Sequence, residues 1–383
     1  MSIVSKKPKI AIVHDFLTYF GGAEQVLKSL HHLYPKAPIY TLLFDEKKMK
    51  EYFPDAKIIP SFLNKFPKFM RTRKKYLLPL LSTAAETFDL RDYDVVISSS
   101  NSFVKGIITK PKTVHICYCH APTRFLWDWY YNYLDENNIS GWKKLLVIPI
   151  LHYLRLWDKS AADRVDYFIA NSKNTADKIK KFYSKESKLI YPPVDVSKFQ
   201  EIGLLHDKKD YFLIVSRLSA YKKIHVAVEA FNKLELPLVI IGDGEERKKL
   251  ERIAEKNIKF LGFQPIDKVI EYYRNCQAFI FSGEDDFGIA PVEAMSFGKP
   301  VLAYRKGGSI ETVIPGVTGE FFNDLIPEIL ADGVRRIKNN YANFNADIIK
   351  EHAKKFSREK FELNMKEFVD IVIEKKFSRT DTD

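Results

Sequence analysis

The stretch "AFIFSGEDDFGIAPVEAMSFGKPVLAY" runs from Ala278 to Tyr304 and decides the fold. Its ends, AFIF and PVLAY, are short apolar runs of the kind that form buried strands. "GEDDFG" is a polar loop, and "IAPVEAMSFG" reads as a helix. Pro291 falls in its first turn, where a missing N–H costs nothing, and Gly298 lies near its stop. Strand, loop, helix and strand in that order predict a parallel sheet wrapped by helices.

The same alternation extends through the chain. In the first half, strand-like runs cover 9–16, 38–44, 93–100, 113–119 and 166–172, with a helix over 22–35 that spaces Val26, Leu27, Leu30 and Leu33 for one face. The Pro-containing stretch 190–210 reads as a linker. The pattern then restarts with strands at 211–218, 236–244, 258–263, 278–282, 300–304 and 319–322. Residues 357–376 form a last amphipathic helix, and the tail from Phe377 is expected to be disordered. The fold class is therefore α/β, with two doubly wound domains. The expected bounds are 1–195, 196–355, a helix 356–376 and a tail 377–383.

The chain has 383 residues, of which 46% are hydrophobic and 29% charged, enough for sizeable cores. The net charge of +12 suits an anionic partner. The three cysteines are too few for a disulfide framework and fit a reducing compartment. Cys117 and Cys119 read as buried thiols rather than metal ligands, because no further Cys or His set follows at ligand spacing. The N-terminus runs straight into a strand-like segment, which predicts no secretory leader. The run at 145–151 is too short to span a bilayer.

In open parallel sheets, ligands sit beyond the carboxyl ends of the strands, so residues just after strands are the candidates. Around the opening stretch, Gly288 permits close backbone approach, and the first helical turn suits a phosphate. Asp285 and Glu293 can accept hydrogen bonds from sugar hydroxyls. Glu284 and Asp286 read as acids that complement the helix dipole. In "VSRLSAYKK", Arg217 and Lys222 can neutralise a diphosphate leaving group, although a solvated basic loop also satisfies the pattern. Gly21 and Gly22 join a strand to a helix without a dinucleotide fingerprint, and alone they read as a turn. "GDGEE" at 242–246 stays open between a turn and a site. His120 ends a strand. A lone His is usually structural, but Arg124, Trp127 and Asp128 nearby favour a place facing substrate.

These motifs together resemble the family-four retaining glycosyltransferases of GT-B fold, from Lys9 to about Lys375. "CHAPTRFLWD", "SRLSAYKKIHVAVEAF" and "DDFGIAPVEAMSFGKPVLAYRKGGSIETV" are similar to mannosyltransferase-like members of surface-polysaccharide and lipopolysaccharide biosynthesis. The resemblance implies two facing Rossmann-like domains with an interdomain cleft, an acceptor-binding N-terminal domain, and a nucleotide-sugar-binding C-terminal domain. It implies a hexose transferred with retention, mannose from GDP-mannose foremost, onto a lipid-linked glycan acceptor. Glu293 would hold the ribose, Asp285 the transferred sugar, and Arg217 and Lys222 the diphosphate. Backbone N–H groups of Phe287, Gly288 and Ile289 would lie near sugar or phosphate. His120 would meet the sugar and Gly22, beside Gly21, would border the diphosphate. The last helix would cross back onto the first domain. No metal and no cofactor are expected. The family usually has Glu where Asp285 stands, which bears on the donor sugar more than on the reaction.

The segment "FLNKFPKFMRTRKKYLLPLL" (62–81) interleaves cations, including Arg71, Arg73, Lys74 and Lys75, with aromatics. It suits an anionic membrane surface or a pyrophosphate-linked acceptor lipid, and equally a solvated basic helix. The first reading implies a cytoplasmic protein, peripheral at the inner face of the membrane. The alternatives are a sugar-nucleotide epimerase or hydrolase on the same fold, a nucleotide-sugar-binding protein without turnover, and a basic nucleic-acid-binding protein. No nucleic-acid motif supports the last, so nucleic acid is not an expected partner.

Overall fold

A computed structural model describes residues 8–196 and 210–377. The expected linker lies partly, and the expected tail beyond Phe377 wholly, outside the described residues. The chain divides into two compact units. One contains the residues up to Tyr191 together with those from Phe361 onward, and the other is Pro192–Lys360.

The first unit holds a parallel sheet of β1 (Ile10–Leu17), β2 (Ile39–Phe44), β3 (Ile58–Pro60), β4 (Val95–Ser100), β5 (Val114–Cys119), β6 (Tyr167–Ala170) and β7 (Ser187–Leu189). Their order is β3-β2-β1-β4-β5-β6-β7. Strand alternation sends neighbouring residues to opposite faces. Ala11, Val13 and Val96 thus join one apolar cluster. Ile12, Val95, Ile97, Ile116 and Tyr118 join another. The helix Arg358–Phe377 places Phe361, Met365, Val369 and Val372 in that second cluster, all nearly fully buried. Each such side chain is worth about 1.5–3 kcal/mol, which ties the end of the chain to the first sheet. Cys117 and Cys119 are buried and not disulfide-bonded, beside Ala162, Phe168 and Tyr183.

The second unit holds β8 (Phe212–Val215), β9 (Leu238–Ile241), β10 (Ile258–Gly262), β11 (Ala278–Phe281), β12 (Val301–Tyr304) and β13 (Gly319–Phe322). All pairs are parallel, in the order β10-β9-β8-β11-β12-β13. Its core takes Phe212, Ile214, Ile240, Ile280 and Leu302 from the sheet and Val228, Phe231, Val334 and Ile337 from the helices Ile224–Leu234 and Pro327–Asn339.

In each unit the strand order reverses once, between β1 and β4 in the first and between β8 and β11 in the second. At such a reversal the connections leave in opposite directions and open a crevice at the strands' carboxyl ends. Of the sequence-predicted site residues, Gly21 and Gly22 follow β1, Arg217 and Lys222 follow β8, and Asp285 to Glu293 follow β11, whereas His120 follows β5 and Arg71 to Lys75 follow β3. The strands β3 and β7, three residues each, were not expected from the sequence.

Candidate functional site

In the second unit, β8 leads into Arg217 and a short 3-10 turn, Ala220–Lys222. Its neighbour β11 leads into the loop 282–288 and then the helix Ile289–Ser296. The two loops meet. The Lys222 ammonium pairs with the Asp285 carboxylate. The Ser282 hydroxyl donates to the Lys222 carbonyl at 3.0 Å. A Cβ on Gly283 would lie 2.8 Å from the Lys222 Cα, so only glycine allows this approach. Lys222 and Asp285 are 14% and 21% exposed, so the pair is sheltered yet reachable.

The helix that follows begins at Gly288, with φ +85°, a conformation that favours glycine. Its N-cap residue, a glycine, has no side chain to accept from the first turn. The loop before it is braced from below by the turn after β12. Gly308 N–H donates to the Asp285 carbonyl at 2.9 Å, and a Cβ on Gly308 would meet Phe287 Cα at 2.3 Å. The glycine pair 307–308 thus shapes the candidate loop without lying in it. Phe287 is buried edge-on against Phe356. Glu293 sits in the helix's second turn, and its Oε2 accepts from the Tyr273 hydroxyl at 2.9 Å. Burial, then Glu293, pushes the Tyr273 phenol well above its ordinary value, so it stays a donor. Tyr273, which orients Glu293, carried no sequence signal beyond its place on an amphipathic helix.

Arg217 lies in the loop that follows β8. Its guanidinium is 61% exposed and lies 3.5 Å from Glu245. In the stretch 242–246, Gly242 packs on the Ser216 carbonyl, and Leu218 N–H donates to the Asp243 carbonyl.

In the first unit, Gly21 caps the helix Gly22–Leu33, and its N–H donates to the Glu24 carboxylate at 2.9 Å. His14 on β1 and Ser99 on β4 are register partners. Ser99 Oγ lies 3.1 Å from His14 Nδ1 and 2.8 Å from His120 Nε2. His14 Nε2 reaches Glu24 at 3.4 Å. Burial, with His14 second, holds the His120 imidazole down to about 3, so the ring is neutral at physiological pH. Ser99 Oγ thus bridges the two imidazole rings. The sequence reading missed His14, Ser99 and Glu24, whose only sequence signal is polar residues inside buried strands and a capping glutamate.

Two residues near His120 in sequence have partners of their own. Trp127 stacks on Phe182 and donates to Asp158 at 2.8 Å, while Asp128 pairs with Lys178 at 2.7 Å. Arg124 lies over the Trp129 ring, 4.8 Å from its centroid. In the basic segment, Arg73 and Lys75 are exposed. Arg71 is half-buried, and Lys74 lies 3.8 Å from the centroid of Phe16 at the end of β1.

Beside this geometry stand the comparisons with known proteins. The family profile "Glycosyltransferase Family 4" matches residues 20–198, and "Glycosyl transferases group 1" matches residues 195–356. A glycosyltransferase of Methanocaldococcus jannaschii is 28% identical over 92% of this chain and 95% of its own. The alpha-1,3/1,6-mannosyltransferase of Dictyostelium discoideum is 25% identical, over 88% of this chain and 91% of its own. Among solved structures, Anabaena HepE with UDP and glucose superposes with a TM-score of 0.70 at 18% identity, covering 95% of this chain and 99% of its own. Sucrose-phosphate synthase of Thermosynechococcus elongatus gives 0.72 at 17% identity, with coverages of 95% and 99%. The likeness places both sheets in one shared architecture, the GT-B fold.

Proposed function

Because the chain belongs to the family-four glycosyltransferases and has their two Rossmann-like units, we propose that it moves a hexose, with retention, from a nucleotide sugar to a lipid-linked glycan acceptor. The observation that carries the reading is the second unit's strand reversal. There a lysine, an aspartate and a glycine-capped helix start converge beyond the strand ends.

On this reading the donor's diphosphate lies at the start of the helix Ile289–Ser296, with Lys222 and Arg217 supplying positive charge. The Lys222–Asp285 pair holds the ammonium in place before donor arrives. Glu293, oriented by Tyr273, accepts from the ribose hydroxyls, and Asp285 accepts from the transferred sugar. Transfer proceeds on one face: the acceptor oxygen bonds to the anomeric carbon as the bond to the diphosphate oxygen breaks. The acceptor's proton passes to that leaving oxygen. Cationic stabilisation of the leaving group is the main contribution, supplied by side chains rather than a metal.

Mannose is the proposed sugar, because mannosyltransferases are among the relatives, and GDP-mannose is the proposed donor. The neighbour solved with UDP and glucose makes uridine donors the control. The test is a thermal-shift screen of GDP-mannose, UDP-glucose and UDP-GlcNAc, followed by incubation with and without a polyprenyl-linked acceptor. Stabilisation by GDP-mannose and acceptor-dependent release of GDP are expected. Release without acceptor identifies a hydrolase, and an altered sugar still on the nucleotide identifies an epimerase.

A further inference from the structure

The helix Trp142–Asp163 has two apolar faces. Val147, Leu151, Leu154 and Ala161 turn inward. On the other side Trp142, Leu145, Leu146, Tyr153 and Leu156 are 69%, 77%, 61%, 61% and 59% exposed. Their spacing of three, four, eleven and fourteen residues from Trp142 places them in one stripe, about 21 Å long at 1.5 Å per residue. A surface helix ordinarily carries its polar residues there. The helix Lys173–Tyr183 does so: Asp177, Lys180 and Lys181 lie outward while Ile179 and Tyr183 lie inward. Single exposed apolar residues need no explanation, but a contiguous stripe marks an interaction surface.

Charge selects the partner. No acid occurs between Glu136 and Asp158, and Asp158 is fully buried, whereas Lys143 and Lys144 are exposed. The segment 62–77 covers the same core cluster, through Phe66 and Met70. No acid occurs there either, from Asp55 to Glu86, and Phe69 and Tyr76 are 62% and 49% exposed. Two acid-free elements thus combine outward aromatics and leucines with lysine and arginine. A second copy would bring the same positive charge against itself. A bilayer with anionic headgroups complements both the charge and the apolar stripe, and Trp and Tyr suit its interfacial zone. Among the described residues no helix is long and apolar enough to cross a membrane, so the contact is a surface one.

We propose that the outer stripe of the helix Trp142–Asp163 inserts into the headgroup region of an anionic membrane, with the basic segment 62–77 as its electrostatic flank. This deepens the proposed function, resting on its lipid-linked acceptor for the reason a membrane is needed. The experiment is co-sedimentation of the full chain with phosphatidylcholine vesicles, with and without phosphatidylglycerol. The full chain is expected to bind the anionic vesicles preferentially. Leu145→Glu with Leu146→Glu removes two insertions and is expected to weaken binding at least about tenfold. Lys143→Glu with Lys144→Glu is expected to weaken only the phosphatidylglycerol-dependent part. Both double variants change exposed residues and are checked for an unchanged melting temperature. Binding of the leucine variant equal to wild type overturns the proposal, as does no vesicle binding by wild type, or a wild-type dimer that the leucine variant dissolves. Donor thermal shift is measured on the same samples, so loss of the sugar-transfer reading and loss of the membrane reading are separate results.

Discussion

At the first unit's strand reversal, the turn after β4 aims four backbone N–H groups at one point, and the protein fills that point itself. Both Asp15 carboxylate oxygens accept, from Asn101 and Ser102 at 2.6 and 2.8 Å and from Phe103 and Val104 at 2.9 and 3.0 Å. At the second unit's reversal, the helix after β11 starts on a glycine, and the acid nearby is held on Lys222. Topology is shared, but the handling of charge is opposite. A self-satisfied nest is a structural joint. A helix start on a glycine, beside a sheltered cation, is where the proposed donor's diphosphate would lie.

A crossed pair of variants tests that contrast most severely. Lys222→Ala is expected to lower turnover by about 10²–10³-fold, the scale of losing one stabilising group on a developing anion. Circular dichroism and gel filtration should show a folded protein. Asp15→Ala is expected to do the reverse. It strands four N–H groups, three of them buried, and costs about 3 kcal/mol or more of stability, read as a fall in the urea midpoint. Near-normal turnover in the first, or an unshifted midpoint in the second, breaks the distinction.

A smaller effect concerns the buried histidines of the first sheet. His115 bonds to Ser98 at 2.8 Å, and burial, then Arg164, holds it down to about 3. Below the unfolded value of 6.5 the unfolded chain takes up a proton there that the native state refuses. Stability is therefore full above that value and falls as pH drops toward 3, by about 1.4 kcal/mol per pH unit. His115→Gln should remove that slope, seen as a shallower loss of urea midpoint between neutral pH and about pH 5. An unchanged slope would count against a buried neutral ring.

The smallest effect is expected from Ser99→Ala, which cuts the link between His14 and His120. About 1 kcal/mol of stability and a several-fold drop in kcat are anticipated. A loss of stability with kinetics untouched would make the link purely structural.

The contrast also explains what could be read from the chain. Strand and helix alternation pointed to both sheets, since parallel strands buried on two faces are continuous apolar runs such as VHICYC. The edge strands IIP and SKL are too short and, in the second case, too polar to signal themselves. At the second reversal, the sequence reading named Lys222, Asp285 and Gly288 because each lies in a loop that follows a strand. It could not find the joint in the first unit, where Asp15 meets residues 86 to 89 positions away. It drew Trp127 and Asp128 toward His120 because they are near in sequence, and the chain turns both to other partners.

The central claim is that the second unit's reversal binds a diphosphate through Lys222. Calorimetric titration of guanosine diphosphate, uridine diphosphate and the two free nucleosides tests it directly, in wild type and in Lys222→Ala. One diphosphate should bind wild type at least about a hundredfold more tightly than its nucleoside, and Lys222→Ala should lose about tenfold or more of that advantage. Equal affinity for diphosphate and nucleoside, or an advantage untouched by the substitution, would contradict the account.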